Sequence, residues 1–141
     1  MSEKTTSGVH WSFWVIAAIA VIWNGLGSVN YLVQVYADSL DAYREVEQAI
    51  IAGRPVWATA GFAIGVFGGT VGGLLLLTRH AIASHMFIAS LVGVIVATVH
   101  TLGVDADFGI GELIVIAFMP VIVAALFLWY AKHAEGKGWI S

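Results

Sequence analysis

The sequence predicts an all-α membrane protein, a four-transmembrane-helix bundle with an amphipathic helix in the first extramembrane loop. Hydrophobic residues make up 60% of the 141 residues and charged residues only 11%, which is too little charge to cover the surface of a soluble domain. The charged residues also leave four long uncharged runs, at residues 5–37, 55–78, 80–104 and 113–131. Each run has room for the roughly 20 apolar residues that cross a bilayer as a helix.

The four predicted spans are residues 11–33, 56–77, 82–102 and 110–129, within one domain that covers residues 1–141. The second, third and fourth spans are joined by short connections, so these neighbours are expected to be antiparallel. The first span follows Lys4 and contains an Ala-Ile-Ala sequence typical of signal-peptide cleavage. Its apolar stretch continues as far as Val29, well beyond that sequence, which favours a retained membrane helix.

The first loop contains the predicted amphipathic helix, at residues 39–52. Apolar residues recur there at helical spacing, with charged residues between them: Leu40, Tyr43, Val46, Ala49 and Ile50. Gly53 and Pro55 are expected to end the helix. Two roles fit this pattern, a lid over a pocket or a helix that rests at the membrane interface because its apolar face has no other partner. The second role is the more usual one.

Lysine and arginine residues predict the orientation, because they are enriched in cytoplasmic loops. With the N-terminus inside, the cytoplasmic side carries four of these cations: Lys4, Arg79, Lys132 and Lys137. The opposite side carries two, Arg44 and Arg54, and an acidic loop at residues 105–112. We therefore expect both termini in the cytoplasm.

Glycines on the second span form its most specific pattern. Gly61, Gly65, Gly68 and Gly72 fall within roughly 60° of arc on a helix, at about 100° per residue. Small residues on one face let another helix approach closely, and this is the usual basis of helix association in lipid. We expect these glycines to pack against a helix of the same bundle or of a second copy. The other interpretation is a smooth groove for a flat ligand or a moving helix.

The candidate ligand-binding residues lie in three spans; Asn24 is deep in the first span, and the others lie towards the outer ends. Asn24, Tyr31 and Gln34 belong to the first span, and in lipid such polar groups must face the protein interior or a wet cavity. His100 lies near the end of the third span, and Glu112 lies near the start of the fourth. An acidic residue inside a span is a functional-site hypothesis. Interhelical hydrogen bonding for the amides, and solvation at the helix N-terminus for Glu112, are the structural alternatives.

Several other classes of function find no support in the sequence. No Ser-His-Asp arrangement, phosphate-binding loop or HExxH motif is present, so we expect no enzyme. The spacing of His100, Asp105, Asp107 and Glu112 matches no established metal-ligand pattern, so neither a metal nor a cofactor is expected. The chain has no cysteine, which excludes thiol chemistry, and its cations are scattered, which argues against nucleic acid.

Several segments resemble a group of small bacterial four-helix inner-membrane proteins, some of which carry the label "sugar transporter". The similar residues are Trp23-Asn24, Gly27, Tyr31, Pro55, Trp57, Thr59, Phe62, Ala63, Val66-Phe67-Gly68-Gly69, Gly72, Met119-Pro120 and Lys137-Gly138-Trp139. The resemblance implies a bacterial inner-membrane location and a four-helix unit that stands alone. It implies no particular binding residue.

Two functional hypotheses follow for a small multi-pass protein whose surroundings are the lipid bilayer. The first is a protein that binds or transports a small solute through an outward-facing polar pocket, with a homodimer through the glycine face completing the pathway. The alternative is an accessory or assembly subunit that packs this glycine face against a larger membrane complex.

Overall fold

The computed structural model describes residues 9–141, which fold into helices with no β-strand in this part of the chain. The helices are α1 (Trp11–Tyr36), α2 (Glu45–Ala52), α3 (Val56–Leu77), α4 (Ala83–Gly103) and α5 (Ile110–Gly136). Four of them, α1, α3, α4 and α5, are long and apolar enough to cross a membrane. The prediction of an all-helical protein with four such helices is therefore confirmed. Residues 1–8 of the predicted domain, including Lys4, lie outside the described residues.

The helix in the first loop is shorter than the predicted helix at residues 39–52. Helix α2 begins only at Glu45, and Arg44 before it has an extended backbone. The preceding residues form turns instead: the Ser39 Oγ atom accepts a hydrogen bond from the Asp41 backbone N–H at 3.2 Å. The Tyr43 N–H then donates to the Leu40 carbonyl at 2.9 Å in a turn, and the extended backbone of Arg44 separates this turn from α2.

The spanning helices pack in sequence order, with α3 between α1 and α4, and with α5 on the other side of α4. The contacts run antiparallel. A Cβ atom added at Gly73 would lie 2.9 Å from the Val21 side chain, and one added at Gly27 would lie 2.9 Å from the side chain of Val66. The α1–α3 interface is thus a close contact that larger residues at these glycines would prevent.

The predicted packing glycines of α3 are all buried, and they face α4. A Cβ atom at Gly61 would lie 2.7 Å from the Val96 side chain, and one at Gly65 would lie 2.9 Å from that of Val94. The closest approach comes from the other helix, because a Cβ atom at Gly93 would lie 2.5 Å from the Gly61 carbonyl oxygen. The glycine face is consequently occupied within the chain.

The two ends of the bundle differ in packing. We call the end that holds Trp11, Leu77, Ala83 and Gly136 the terminal end, and the opposite end, which carries α2, the α2 end. The main apolar core lies at the terminal end, where the Phe13 ring of α1 lies 6.4 Å from the Tyr130 ring of α5. These contacts close the bundle between α1 and α5 at the terminal end.

Helix α5 is irregular near the α2 end. Residues Ile114–Phe118 form a π-helical turn, and the Met119 backbone N–H donates to the Ile114 carbonyl. Pro120 follows directly and has no N–H to donate, so one carbonyl of the preceding turn loses its usual donor. Thr98 of α4 donates its hydroxyl to the Ala117 carbonyl at 3.3 Å. A side chain of a neighbouring helix thus supports the irregular turn.

Candidate functional site: a cavity beneath α2

A cavity of about 580 Å³ lies inside the bundle towards the α2 end. All five helices contribute residues to its wall. Its volume lies within the range of about 300–1,000 Å³ that is usual for small-molecule sites. Its wall includes small residues from three helices, Gly65, Ala97 and Ala124.

The deep part of the cavity is apolar. Val66 of α3, Val94 of α4 and Phe127 of α5 line it, and Phe127 also belongs to the core of the terminal end. The Phe127 ring lies 5.9 Å from the ring of Phe87, which is 1% exposed. This core forms the floor of the cavity and separates it from the terminal end.

Polar side chains line the cavity towards the α2 end. The Arg54 Nη1 atom donates to the Gln34 Oε1 atom at 2.8 Å, and the guanidinium carbon lies 4.8 Å from the centre of the Phe62 ring. Burial lowers the pKa of Arg54 below its usual value, and the nearby Tyr31 and Tyr43 act in the opposite direction. Arginine nevertheless remains protonated in proteins, so a partly buried positive charge lies in the cavity wall.

Helix α2 covers this polar region. Ile50, which is 5% exposed, and Ile51 line the cavity from above. Arg44, just before α2, forms ion pairs with Glu47 at 3.0 Å and with Glu112 of α5 at 3.2 Å. These contacts hold α2 against the start of α5.

Further contacts hold the loop to α1 and α4. The Tyr43 hydroxyl donates to the Asn30 Oδ1 atom at 2.8 Å. The His100 Nε2 atom lies 3.1 Å from the Ile50 carbonyl oxygen. The position of α2 therefore depends on several polar contacts, most of which are accessible to water.

The candidate residues predicted from the sequence fall into two groups. Asn24 and Gln34 line the cavity. Tyr31 packs its ring edge-on against the Phe62 and Phe67 rings of α3, at 5.3 and 5.6 Å. His100 contacts α2 and the Trp57 ring, and Glu112 pairs with Arg44. Tyr31, His100 and Glu112 thus lie around the cavity without lining it.

Asn24 also has a structural role. It is 8% exposed, its Nδ2 atom donates to the Ala20 carbonyl at 2.9 Å, and its side chain lies against Gly69. Ser28, one turn later, contacts the Thr70 hydroxyl of α3 at 3.1 Å. These polar groups contribute to the α1–α3 interface, so the amide is both part of the cavity wall and part of the packing.

Arg54 is a charged cavity residue that was not among the candidates predicted from the sequence. The sequence placed Arg54 among the outer-side cations, and no residue spacing marked it as part of a binding site. Its position directly before Pro55, the N-cap of α3, was the available signal, because an arginine next to a span lies at the height of the helix ends. The contact with Gln34 depends on how α1 packs on α3, which a local pattern does not encode.

The cavity also opens sideways. Trp23 and Leu26 of α1 line it and are 43% and 66% exposed, and Val115 of α5 lines it and is 53% exposed. Residues that are both in the cavity wall and on the outer surface mark an opening between α1 and α5. At this height the opening would face lipid, because these residues belong to two of the candidate membrane spans.

Comparisons with protein-family models, curated proteins and solved structures found no significant match to this chain. Within residues 9–141, no three His, Asp or Glu side chains cluster closely enough to hold a metal ion. The cavity itself is therefore the feature from which a function can be argued.

Proposed function

We propose that this protein is a multi-pass membrane protein that binds a small solute in the cavity beneath α2. The observation that carries the proposal is the form of the cavity, with a charged and polar region under α2 and an apolar floor at Phe127. Small-molecule sites combine apolar walls with a few placed polar groups in this way. Helix α2 would lie at the membrane interface and act as the lid.

The proposed setting is a bacterial inner membrane with both termini in the cytoplasm. Arg79, Lys132 and Lys137 at the terminal end support this orientation, since cations favour the cytoplasmic side. The lid would then face outwards. Transport across the membrane would require the core around Phe13 and Phe87 to open, so binding is the activity that the geometry favours.

The alternative role, as an accessory subunit, requires the glycine face of α3 to be free for a partner protein. Gly61, Gly65, Gly68 and Gly72 are buried within the chain, so a homodimer or a larger complex would need another surface. No feature of the described residues favours this role over solute binding.

Two adjacent alanines on α5 provide a matched test. Ala124 lines the cavity and is 8% exposed, whereas Ala125 lies on the exposed surface. Ala124→Trp should fill part of the cavity, and Ala125→Trp should place the same side chain outside it. In native mass spectrometry of the purified protein, we expect a bound small-molecule mass in the wild type and in Ala125→Trp. We expect its occupancy to fall at least roughly tenfold in Ala124→Trp, a loss of about 1.4 kcal/mol.

Circular dichroism of the three proteins serves as the control for folding. Equal occupancy in the two tryptophan variants would contradict the proposal, and so would the absence of any bound mass from the wild type.

A further inference from the structure

We infer that the solute is a long-chain anion, whose negatively charged head binds Arg54 and whose apolar chain lies between α1 and α5. The inference rests on the proposed function of the cavity and specifies the chemical class of its ligand.

The charge of Arg54 is the first observation. The ion pairs among residues 9–141 use Arg44 and Lys132 but not Arg54. In this part of the chain Arg54 contacts the neutral Gln34 amide and the Phe62 ring, and the Tyr31 and Tyr43 side chains lie nearby. A guanidinium has several N–H donors, and only Nη1 is used here. A partly buried cation with free donors suits a carboxylate or phosphate, which it can bind through two parallel hydrogen bonds.

Arg44 does not offer the same site, although it also lines the cavity. Its Nε atom donates to Glu47 and its Nη1 atom donates to Glu112. Two carboxylates thus already balance its charge. Arg54 is therefore the cation in the cavity wall that remains for an anionic ligand.

The apolar depth of the cavity is the second observation, and it argues against a hydroxyl-rich solute. Three of the polar side chains that line the cavity already donate to backbone carbonyls. Asn24 donates to Ala20, Thr98 to Ala117 and Thr101 to Ala97. A sugar would leave many of its hydroxyl groups against apolar side chains without partners, which is unfavourable. A hydrocarbon chain needs no partners there.

The sideways opening is the third observation. Leu26 and Val115 border it and are exposed to the surroundings of the bundle. An amphiphile dissolved in the bilayer would pass between these residues without exposing its chain to water. Its head would stay at the height of Arg54, directly before the first turn of α3, and so near the membrane surface.

The experiment uses the full chain in nanodiscs of phosphatidylcholine, with a photoreactive analogue of hexadecanoate as the probe. After irradiation, peptide mapping identifies the labelled residues. We expect adducts at Trp23, Leu26 and Phe127. Unlabelled hexadecanoate should compete, whereas hexadecanol, which lacks the charge, and butyrate, which lacks the chain, should not. Phosphatidylglycerol in a parallel arm shows whether the natural source is a single-chain acid or an anionic membrane lipid.

Charge variants test the role of Arg54. Arg54→Gln should weaken hexadecanoate binding roughly tenfold to a hundredfold, as expected for losing a hydrogen-bonded charge. Arg54→Lys should have a smaller effect, because it keeps the charge but loses the fork of donors. Lys132→Gln removes the same charge from an exposed ion pair at the terminal end and should bind hexadecanoate like the wild type.

Two results would overturn the inference: equal competition by hexadecanol in the wild type, or labelling of all lipid-facing surfaces without competition. The hexadecanol result does not depend on the folding of any variant. If the probe fails but the bound mass that Ala124→Trp removes is still found, the long-chain anion is wrong and solute binding stands. If both are missing, the proposed function fails as well.

Discussion

Among residues 9–141, Arg79 is the only residue other than glycine with a positive φ, which is 63°. It lies between α3 and α4 and is 8% exposed. Its Nε atom donates to the Trp139 carbonyl at 2.8 Å, and its own carbonyl accepts from the Ser141 N–H at 3.2 Å. The residue thus ties the chain after α5 to the α3–α4 connection, in a backbone conformation that glycine adopts more easily.

Two substitutions at this position separate the backbone from the side chain. Arg79→Gly and Arg79→Ala both lose the hydrogen bond to Trp139, so both should unfold more easily than the wild type. The glycine variant should be more stable than the alanine variant by about 1 kcal/mol, because only alanine is strained at a positive φ. Thermal unfolding in one detergent measures the difference. An alanine variant as stable as the glycine variant would show that the turn relaxes.

The candidate residues show how far sequence reasoning reaches at the residue scale. A polar residue inside an apolar span must find a partner, so the inward position of Asn24 follows from its place in the chain. The same logic selected Tyr31, but its aromatic neighbours on α3 belong to another helix and could not be read locally. The pairing of Arg54 with Gln34 joins residues 20 positions apart, and no periodicity indicates it.

At the scale of elements, α3 and α4 form a close backbone contact. The glycine spacing on α3 predicted a close neighbour, although it did not say which helix this would be. The partner helix supplies Gly93, whose added Cβ atom would lie 2.6 Å from the Gly65 backbone nitrogen. Ser90, one turn earlier, donates its hydroxyl to the Gly65 carbonyl at 2.6 Å. Small residues on both helices therefore set the distance between them.

Gly93→Ala is expected to destabilise the bundle by about 1–3 kcal/mol, because overpacking forces the two backbones apart. Gly25→Ala is the matched control, since Gly25 also lies inside a spanning helix and a Cβ atom there would meet nothing within 4 Å. That variant should unfold like the wild type or slightly later, as alanine favours helix. Denaturant titration followed by circular dichroism compares the two. Equal stability of both variants would contradict the close contact.

Helices α2 and α5 show what the pattern of apolar residues leaves undetermined. Periodicity predicted a helix at residues 39–52, but the chain forms turns before the extended backbone of Arg44, and the helix begins only at Glu45. The π-helical turn of Ile114–Phe118 lies shortly before Pro120, and its Ala117 carbonyl accepts a hydrogen bond from Thr98 of α4. Such details arise from contacts between elements, which hydropathy does not describe.

At the scale of the whole molecule, hydropathy was enough to predict four spanning helices, because lipid requires long apolar segments with internally bonded backbones. The cavity was not predictable in the same way. It arises because α1 and α5 meet at the terminal end through Phe13 and Tyr130, while Leu26 and Val115 remain exposed nearer the α2 end. The relative tilt of two helices that are distant in sequence controls this opening.

The orientation in the membrane decides which compartment α2 faces. Among the described residues the terminal end carries Arg79, Lys132 and Lys137, and the α2 end carries Arg44 and Arg54. The carboxylates that pair with Arg44 do little to change this comparison, because the rule counts Lys and Arg rather than net charge. Labelling of single cysteines measures the orientation directly.

The chain has no cysteine, so single cysteines can report the orientation without background from the protein. Asp38→Cys lies in the exposed loop before α2, and His80→Cys lies in the exposed connection between α3 and α4. In intact cells, a membrane-impermeant maleimide should label the first variant, and it should label the second only after permeabilisation. The reverse pattern would place the lid and Arg54 in the cytoplasm. An anionic amphiphile would then have to reach the cavity from the inner leaflet, because the opening between α1 and α5 lies in the half of the bundle beneath α2.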